Sequence, residues 1–361
     1  MKQEKKHTLS GSCILREQEE LESLLNLSLR SEEKEWFRAE RGRMPFLLPS
    51  YYAGLMNISD PHDPIRLQSI PTDKEFNITP QELADPLGEK NFMPVDFLIH
   101  RYTSRALFLS TGICAMYCRH CFRRNYTGKP QIPTGEQIVR AAQYLKDHTG
   151  IKELLISGGD PLTLSLDALD RLLGIFREYR SDIVFRICTR IPVVMPQMIT
   201  EALVEILAKY RKNGLYVITQ YNHPIELSSE STGAVRRILD AGIPVLNQTV
   251  LLKGVNDDAG VLGDLMNGLV GAGVIPYYLF HPDMAEGISH FRIPLKKGLA
   301  IFKQLTAKLS RLALPEYAVD IPGGRGKVSL SANGIIDSID NTYKLRNGSD
   351  QIFTYIDTVI E

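Results

Sequence analysis

The chain has 361 residues, of which 43% are hydrophobic and 23% charged, a composition typical of a globular protein and not of a disordered, collagen-like or coiled-coil chain. Lys and Arg together number 42, as do Asp and Glu, so the formal net charge is zero. Such a balance provides no global field to attract nucleic acid or an anionic membrane. The polar start MKQEKKHTLS and the lack of a long uncharged apolar stretch predict a cytoplasmic protein without a membrane span.

Residues 1–95 are predicted to form an N-terminal helical extension and a connecting segment. Residues 14–44 are rich in charge and carry Leu at helical spacing, which indicates an amphipathic helix on the surface of a larger domain. Residues 45–95 contain Pro61, Pro64 and Pro71, so short helices and extended connections are expected there instead of a separate core.

Residues 96–315 alternate between strand-like and helix-like segments. Apolar runs predict six strands, at 106–110, 153–157, 183–188, 215–219, 245–251 and 274–280. Apolar residues at helical spacing predict six helices, at 136–147, 166–180, 198–212, 230–241, 258–272 and 295–311. Six such units imply a parallel α/β sheet and are too few for a closed eightfold barrel. We therefore predict a partial (β/α)6 barrel, followed by a distinct Gly-rich C-terminal segment over residues 316–361.

Three of the five cysteines, Cys114, Cys118 and Cys121, lie in one short loop after the first predicted strand. Without an export signal, such a cluster usually binds metal or is catalytic. Structural zinc normally has four protein ligands, and [4Fe–4S] electron carriers have four cysteines. Three cysteines therefore predict an open iron position, unless His120 or a distant residue completes a Cys3His zinc site. Arginines at 119, 123 and 124 are expected to balance part of the thiolate charge.

Two glycine-rich segments are candidates for ligand contact: one ends the second predicted strand, and the other follows the last predicted helix. In the segment 156–161, Gly158 and Gly159 allow the backbone to approach a ligand closely, and Asp160 is either part of the site or a helix cap. The segment 317–327 ends in Lys327, and a lysine in a flexible loop is suited to forming a Schiff base with pyridoxal 5′-phosphate. A nucleotide phosphate loop is the weaker alternative, because Val328 stands where that motif has Ser or Thr.

The CxxxCxxC loop after the first strand resembles that of the radical S-adenosylmethionine (radical SAM) superfamily. Together with the loop that ends in Lys327, it makes the chain similar to the lysine 2,3-aminomutase family over roughly residues 45–345. The similar segments are 60–72, 100–102, 118–124, 222–226, 247–257, 276–278 and 317–327. Two residues depart from the family pattern: Arg325 replaces a glycine of P-G-G-G-G-K, and Gln220 replaces a histidine. The Cys-containing extension that binds zinc in longer members is not matched, so zinc is not expected.

The resemblance implies a radical-SAM barrel with a C-terminal segment that binds pyridoxal 5′-phosphate. It implies that the three cysteines hold a [4Fe–4S] cluster and that S-adenosyl-L-methionine chelates its open iron. By the same resemblance, Lys327 is the catalytic pyridoxal lysine. The other implied cofactor contacts are Arg101, Tyr102, Arg105, Gly158, Gly159, Asp160 and Gln248. The implied substrate contacts are Arg123 for the carboxylate and Asp283 and Asp320 for an ε-ammonium.

The activity that the resemblance implies is an isomerase reaction, conversion of L-lysine to β-lysine (3,6-diaminohexanoate) by 1,2-amino migration. The implied partners are a small amino acid, an electron donor of the flavodoxin or ferredoxin type and further copies of the chain in a homo-oligomer. Alternatives are a related aminomutase for another amino acid, β-lysine supply for modification of elongation factor P, and a cluster-binding scaffold without catalysis. Radical modification of RNA has little support, because the chain has no net positive charge.

Overall fold

Short elements form the N-terminal part of the protein. The computed structural model describes residues 13–39, 44–331 and 334–357. The first elements are β1 (Ile14–Leu15), α1 (Gln18–Leu25), α2 (Ser31–Arg38), β2 (Leu48–Pro49), α3 (Ser50–Ala53) and α4 (Pro64–Ser69). The helix predicted over residues 14–44 is interrupted, because Asn26 ends α1 in the left-handed conformation, with φ at 48°. Asn adopts that conformation more readily than most residues.

A nine-stranded sheet forms the centre of the described chain. Its strands are β3 (Leu98–Tyr102), β4 (Arg105–Thr111), β5 (Glu153–Gly158), β6 (Val184–Cys188), β7 (Leu215–Thr219), β8 (Val245–Val250), β9 (Ile275–Phe280), β10 (Glu316–Asp320) and β11 (Lys327–Ser329). They lie side by side in chain order. Strands β4 to β10 run parallel, whereas β3 and β11 at the edges are antiparallel to their neighbours. The six strands predicted from the sequence are confirmed as β4 to β9.

Helices follow the parallel strands. They are α5 (Gly135–Asp147), α6 (Leu166–Tyr179), α7 (Ile191–Val194), α8 (Glu201–Lys209), α9 (Ser229–Asp240), α10 (Ala259–Gly271) and α11 (Leu295–Lys308). Each long helix buries one apolar face, as α6 does with Leu169, Leu172, Leu173 and Phe176, and this amphipathic pattern is what the sequence predicted. None of the helices in the described ranges combines the length and the apolar character needed to cross a bilayer.

The sheet is an incomplete barrel. Within the described residues, the edge strands β3 and β11 each pair with one neighbour and not with each other, so the predicted partial barrel is confirmed. One parallel strand lies beyond the six predicted units: residues 316–320, assigned from sequence to the C-terminal segment, form β10 beside β9. The sequence did not predict this strand, because it is short and is followed by a glycine-rich segment. The division of the chain after residues 95 and 315 stays a prediction.

The last described residues form a separate antiparallel sheet of β12 (Ile335–Ile339), β13 (Thr342–Arg346) and β14 (Ile352–Ile356). Asp357, directly after β14, accepts a hydrogen bond from the backbone N–H of Leu295 at 2.6 Å. Leu295 is the first residue of α11, so the end of this sheet is tied to a helix of the barrel. Asp357 also lies 3.6 Å from the guanidinium of Arg292.

A buried ion pair connects the N-terminal part to the rest of the structure. Arg66 on α4 donates from Nε and Nη2 to the two carboxylate oxygens of Glu33 on α2, at 2.8 and 2.6 Å. Glu33 is fully buried and Arg66 is 4% exposed. Two charges withdrawn from water depend on each other, since removal of one leaves the other without compensation.

We predict that Glu33→Ala lowers the free energy of unfolding by about 3 kcal/mol, because it leaves the buried Arg66 unpaired. The matched control is Glu32→Ala on the same helix, since Glu32 is partly exposed and lies 3.3 Å from Arg30. That substitution should cost less than about 1 kcal/mol, as exposed pairs usually do. Urea unfolding followed by circular dichroism measures both, and equal effects would contradict the role given to the buried pair.

Candidate active site

One cavity contains all the site residues predicted from the sequence. Its volume is about 360 Å³. The predicted residues that line it are Arg101, Tyr102, Arg105, Cys114, Cys118, Cys121, Arg123, Gly158, Gly159, Asp160, Gln248, Asp283, Asp320 and Lys327. Most of them come together because the carboxyl ends of parallel strands, and the loops that follow them, meet at one edge of the sheet. Arg101, Tyr102 and Arg105 instead lie at the β3–β4 turn, at the amino end of β4.

The three cysteines lie in the loop between β4 and α5, and each is partly buried. Burial, together with the charges of neighbouring thiolates, raises the pKa of the Cys114 and Cys121 thiols. Three thiols in such surroundings therefore require a compensating positive charge to ionise together. His120, the alternative fourth ligand, is buried and pairs its Nε2 with the side-chain amide of Gln220 at 3.1 Å.

The end of β5 is packed tightly against the cysteine loop. A Cβ on Gly159 would lie 2.2 Å from the carbonyl oxygen of Ile113, and one on Gly158 would lie 2.5 Å from that of Thr111. The close backbone approach that these glycines allow is therefore to the end of β4 and to the start of the cysteine loop. Backbone hydrogen bonds from Gly159 to Thr111 and from Asp160 to Ile113 hold the two segments together, at 2.6 and 2.8 Å.

Asp160 caps a short helix, which is one of the two roles that the sequence allowed for it. Its carboxylate accepts hydrogen bonds from the backbone N–H of Leu162 at 3.0 Å and from the backbone N–H of Arg190 at 2.7 Å. The hydroxyl of Thr189 also donates to it. Burial raises the pKa of Asp160 to about 6. Asp160 therefore connects the turn that follows β5 to the residues that follow β6, and it also lines the cavity.

Arg190 contacts a cysteine, and the sequence did not predict this contact. Arg190, which follows β6, donates from Nη1 to the sulfur of Cys118 at 2.8 Å. Its Nη2 donates to the carboxylate of Glu226 at 2.6 Å. Of the arginines expected to balance the thiolates, Arg119 and Arg124 instead pair with Glu75. The sequence feature that could have indicated Arg190 is its position just after a predicted strand, where the site residues of parallel α/β folds lie.

The expected carboxylate-binding residue, Arg123, has an internal partner that the sequence did not reveal. Its guanidinium donates to both carboxylate oxygens of Glu89, with the shortest contact at 2.6 Å. A further hydrogen bond runs from Nη1 to the hydroxyl of Ser157 at 3.1 Å. Glu89 lies in a short 3-10 helix, Glu89–Phe92, before β3, and no motif marks it.

Lys327 lies at the far end of the cavity in an aromatic and acidic environment. Its ammonium is 4.2 Å from the ring centre of Tyr278 and 3.9 Å from that of Phe280. Lys327 and Asp320 are opposite each other in the β10–β11 ladder, and their charged groups are 3.8 Å apart. Burial lowers the pKa of Lys327 to about 8, against the opposing effect of Asp320. Burial and the charge of Asp320 raise the pKa of Asp283.

A second cavity, of about 560 Å³, meets the first at Lys327. The residues that line both are Arg101, Tyr102, Arg105, Tyr278 and Lys327. Arg101 donates to Asp320 at 3.1 Å, and the guanidinium of Arg105 lies 3.9 Å from the ring centre of Tyr102. Arg325, the departure from the glycine pattern, is exposed and lines the second cavity only. Lys327 is therefore surrounded by cationic as well as acidic side chains.

Comparison with known proteins matches residues 108–262 to the radical SAM superfamily. The chain is 40% identical to the L-lysine 2,3-aminomutase of Methanococcus maripaludis over 98% of its own length and 81% of that protein. The chain belongs to the lysine 2,3-aminomutase family. It is also 34% identical to the glutamate 2,3-aminomutase of Clostridioides difficile, over 90% of this chain and 77% of that protein. A radical SAM methyltransferase structure from Sphaerobacter thermophilus aligns with a TM-score of 0.44 at 19% identity, over 62% of this chain and 68% of the other.

Membership of the family makes the protein an isomerase that uses a [4Fe–4S] cluster and S-adenosylmethionine. The cysteine loop fits such a cluster. Its three thiols line one cavity, and three thiolates leave one iron of a [4Fe–4S] cluster without a protein ligand. The cysteines also lie beside Arg190, which donates a hydrogen bond to sulfur, and such bonds tune iron–sulfur centres.

The Lys327 end fits pyridoxal 5′-phosphate by the chemistry of its side chains. An amine with a lowered pKa suits covalent attachment of an aldehyde. Tyr278 and Phe280 offer ring faces beside that amine, and Arg101 and Arg105 offer cationic groups for a phosphate. Both ends of the cavity therefore match the group that the sequence predicted for them.

Proposed function

We propose that the protein is a pyridoxal 5′-phosphate-dependent L-lysine 2,3-aminomutase that forms β-lysine. The observation that carries this proposal is that Lys327, with two carboxylates beside it, shares one cavity with the three-cysteine loop. The named activity of the relative from Methanococcus maripaludis, which matches nearly the whole chain, supports it.

In this proposal the residues of the cavity divide between two cofactors. The three cysteines hold the cluster, and Gly158, Gly159, Asp160 and Gln248 contact S-adenosylmethionine. Lys327 attaches pyridoxal 5′-phosphate, with Arg101, Tyr102 and Arg105 around it. Bound pyridoxal supplies an extended π system that stabilises an unpaired electron on the migrating group. An external electron donor of the flavodoxin or ferredoxin type reduces the cluster.

The charges in the cavity support a diamino acid as the substrate. Asp283 and Asp320 present two carboxylates near Lys327, and an ammonium at the far end of lysine would compensate them. Burial and mutual repulsion raise the pKa of Asp283, so a bound cation would favour its ionised form. The side-chain carboxylate of glutamate would be repelled by the same pair. Arg123 provides a planar guanidinium for the α-carboxylate.

We predict that attachment of pyridoxal 5′-phosphate to Lys327 increases with pH around a midpoint near 8, and not near the ordinary lysine value of 10.5. Burial disfavours the ammonium form, and only the neutral amine reacts with an aldehyde. Absorbance measures the attachment, and borohydride reduction with peptide mapping locates it. A midpoint above pH 10, or a pyridoxyl group on Lys253 or Lys296, would contradict this assignment.

We predict that Asp283→Asn raises the Michaelis constant for L-lysine by about tenfold or more, because a charged hydrogen-bond partner of the substrate is lost. Asp320→Asn should act in the same direction, and binding of pyridoxal phosphate should be retained in both. Asp240→Asn is the matched control, since Asp240 is exposed at the end of α9 and pairs with Arg236.

The assay uses enzyme reconstituted anaerobically with iron, sulfide, pyridoxal 5′-phosphate and S-adenosylmethionine, with dithionite as the reductant in place of the external electron donor. Mass spectrometry identifies β-amino products from lysine and, in parallel, from glutamate, arginine and alanine. Formation of β-lysine is expected. Isomerisation of glutamate but not lysine, or unchanged lysine kinetics in both aspartate variants, would show that the substrate assignment is wrong.

A further inference from the structure

The Arg123–Glu89 ion pair lies in the same cavity as the cysteine loop and Lys327. Both side chains line the cavity and are largely withdrawn from solvent, with exposed fractions of 12% for Arg123 and 17% for Glu89. The two residues are 34 positions apart in the chain. The two side chains therefore form a largely buried ion pair within the cavity, with their charged atoms 2.6 Å apart.

The pattern of hydrogen bonds leaves part of the guanidinium free. Arginine has five N–H groups, one on Nε and two on each terminal nitrogen. Glu89 accepts from Nε and Nη2, and Ser157 accepts from Nη1. Within the described residues, one N–H on each terminal nitrogen thus has no protein acceptor. A guanidinium held along one edge in this way can bind a second carboxylate with its remaining donors.

Glu89 is itself held by a segment that contacts the Lys327 loop. The carboxylate of Asp85 accepts the backbone N–H of Glu89 at 3.0 Å, which fixes the turn. The backbone N–H of Gly323 donates to the carbonyl of Pro86 at 2.8 Å. At Gly324, an added Cβ would lie 2.6 Å from the carbonyl oxygen of Leu87. The segment Asp85–Phe92 therefore packs directly on the glycine-rich loop and reaches Arg123 through Glu89.

We propose that Glu89 is a positioning residue for substrate binding: it holds one edge of the Arg123 guanidinium so that the remaining N–H groups bind the α-carboxylate of the amino-acid substrate. This inference rests on the proposed function, in which Arg123 receives that carboxylate. An amino acid carries its α-amino and α-carboxylate groups on one carbon atom. The protein must therefore hold the carboxylate-binding group and the pyridoxal lysine in a fixed relation. The Asp85–Phe92 segment contacts Arg123 and the glycine-rich loop that precedes Lys327.

Two other roles of Glu89 would each give a different experimental result. If Glu89 competed with the substrate for Arg123, removal of its charge would tighten substrate binding. If it only stabilised the fold, its removal would weaken the binding of all ligands alike. A positioning role affects only ligands that carry the α-carboxylate, because it acts through Arg123. The test therefore compares two ligands that differ in that group.

The experiment titrates holoenzyme, loaded with cluster and pyridoxal 5′-phosphate but without S-adenosylmethionine, with L-lysine and with 1,5-diaminopentane. The second ligand has both amino groups of lysine and no carboxylate. The absorbance of the bound pyridoxal reports binding. Glu89→Ala is expected to weaken lysine binding by about tenfold or more while 1,5-diaminopentane changes less than about twofold, since loss of a charged orienting partner has an effect of that order.

Three further variants complete the test. Glu89→Gln should have an intermediate effect on lysine, because an amide has one acceptor oxygen in place of two. Lys90→Ala is the matched control, since Lys90 is the exposed neighbour of Glu89 in the same short helix, and both ligands should bind as in the wild type. In an Arg123→Met background, Glu89→Ala should cause no further loss of lysine affinity, as expected for residues that act as a unit.

Tighter lysine binding by either Glu89 variant would overturn the inference in favour of competition. Equal weakening of both ligands, or full additivity with Arg123→Met, would overturn it in favour of a purely structural role. Wild-type holoenzyme whose absorbance responds to neither ligand would refute the proposed function itself, and this inference with it.

Discussion

A charged side chain withdrawn from water needs a partner, and this requirement organises the cavity. Arg190 is shared between the sulfur of Cys118 and the carboxylate of Glu226. Arg123 pairs with Glu89, and Asp320 lies between Arg101 and Lys327. Because each buried charge is expensive to leave uncompensated, these pairs fix the side chains along the cavity from the cysteine loop to the lysine.

The open α/β sheet brings these pairs together from distant parts of the chain. The cysteine loop follows β4, near the start of the sheet, whereas Asp320 and Lys327 belong to the β10–β11 hairpin at its other edge. The curvature of an incomplete barrel allows both to line one cavity. The addition of β10 to the parallel strands matters for this arrangement, since it places Asp320 directly opposite Lys327 in the ladder.

Sequence analysis predicted the repeating strands and helices because each depends on local patterns of apolar residues. It identified Cys114, Cys118, Cys121 and Lys327 because their spacing and their glycine neighbours are local as well. It missed the partners of the buried charges. Glu89 and Glu226 carry no motif, and each meets its arginine only through the fold, across 34 and 36 positions of sequence.

Gly158 and Gly159 also show that a local motif does not reveal contacts made through the fold. The sequence predicted close backbone approach at both glycines, and the neighbours they approach are the end of β4 and the start of the cysteine loop. A motif indicates that space is needed but not which atoms occupy it. Similarly, the left-handed residue Asn26 divides the N-terminal helix, although the charge pattern of residues 14–44 continues on both sides of it.

In the proposed function, one cavity presents the same lysine molecule to both cofactors. A labelling experiment supplies the reconstituted, dithionite-reduced enzyme with L-lysine deuterated at C3 and recovers 5′-deoxyadenosine for mass spectrometry. Deuterium is expected in the deoxyadenosine formed by the wild type and not in that formed by Lys327→Arg. Deoxyadenosine that stays unlabelled in the wild type while S-adenosylmethionine is cleaved would contradict this arrangement.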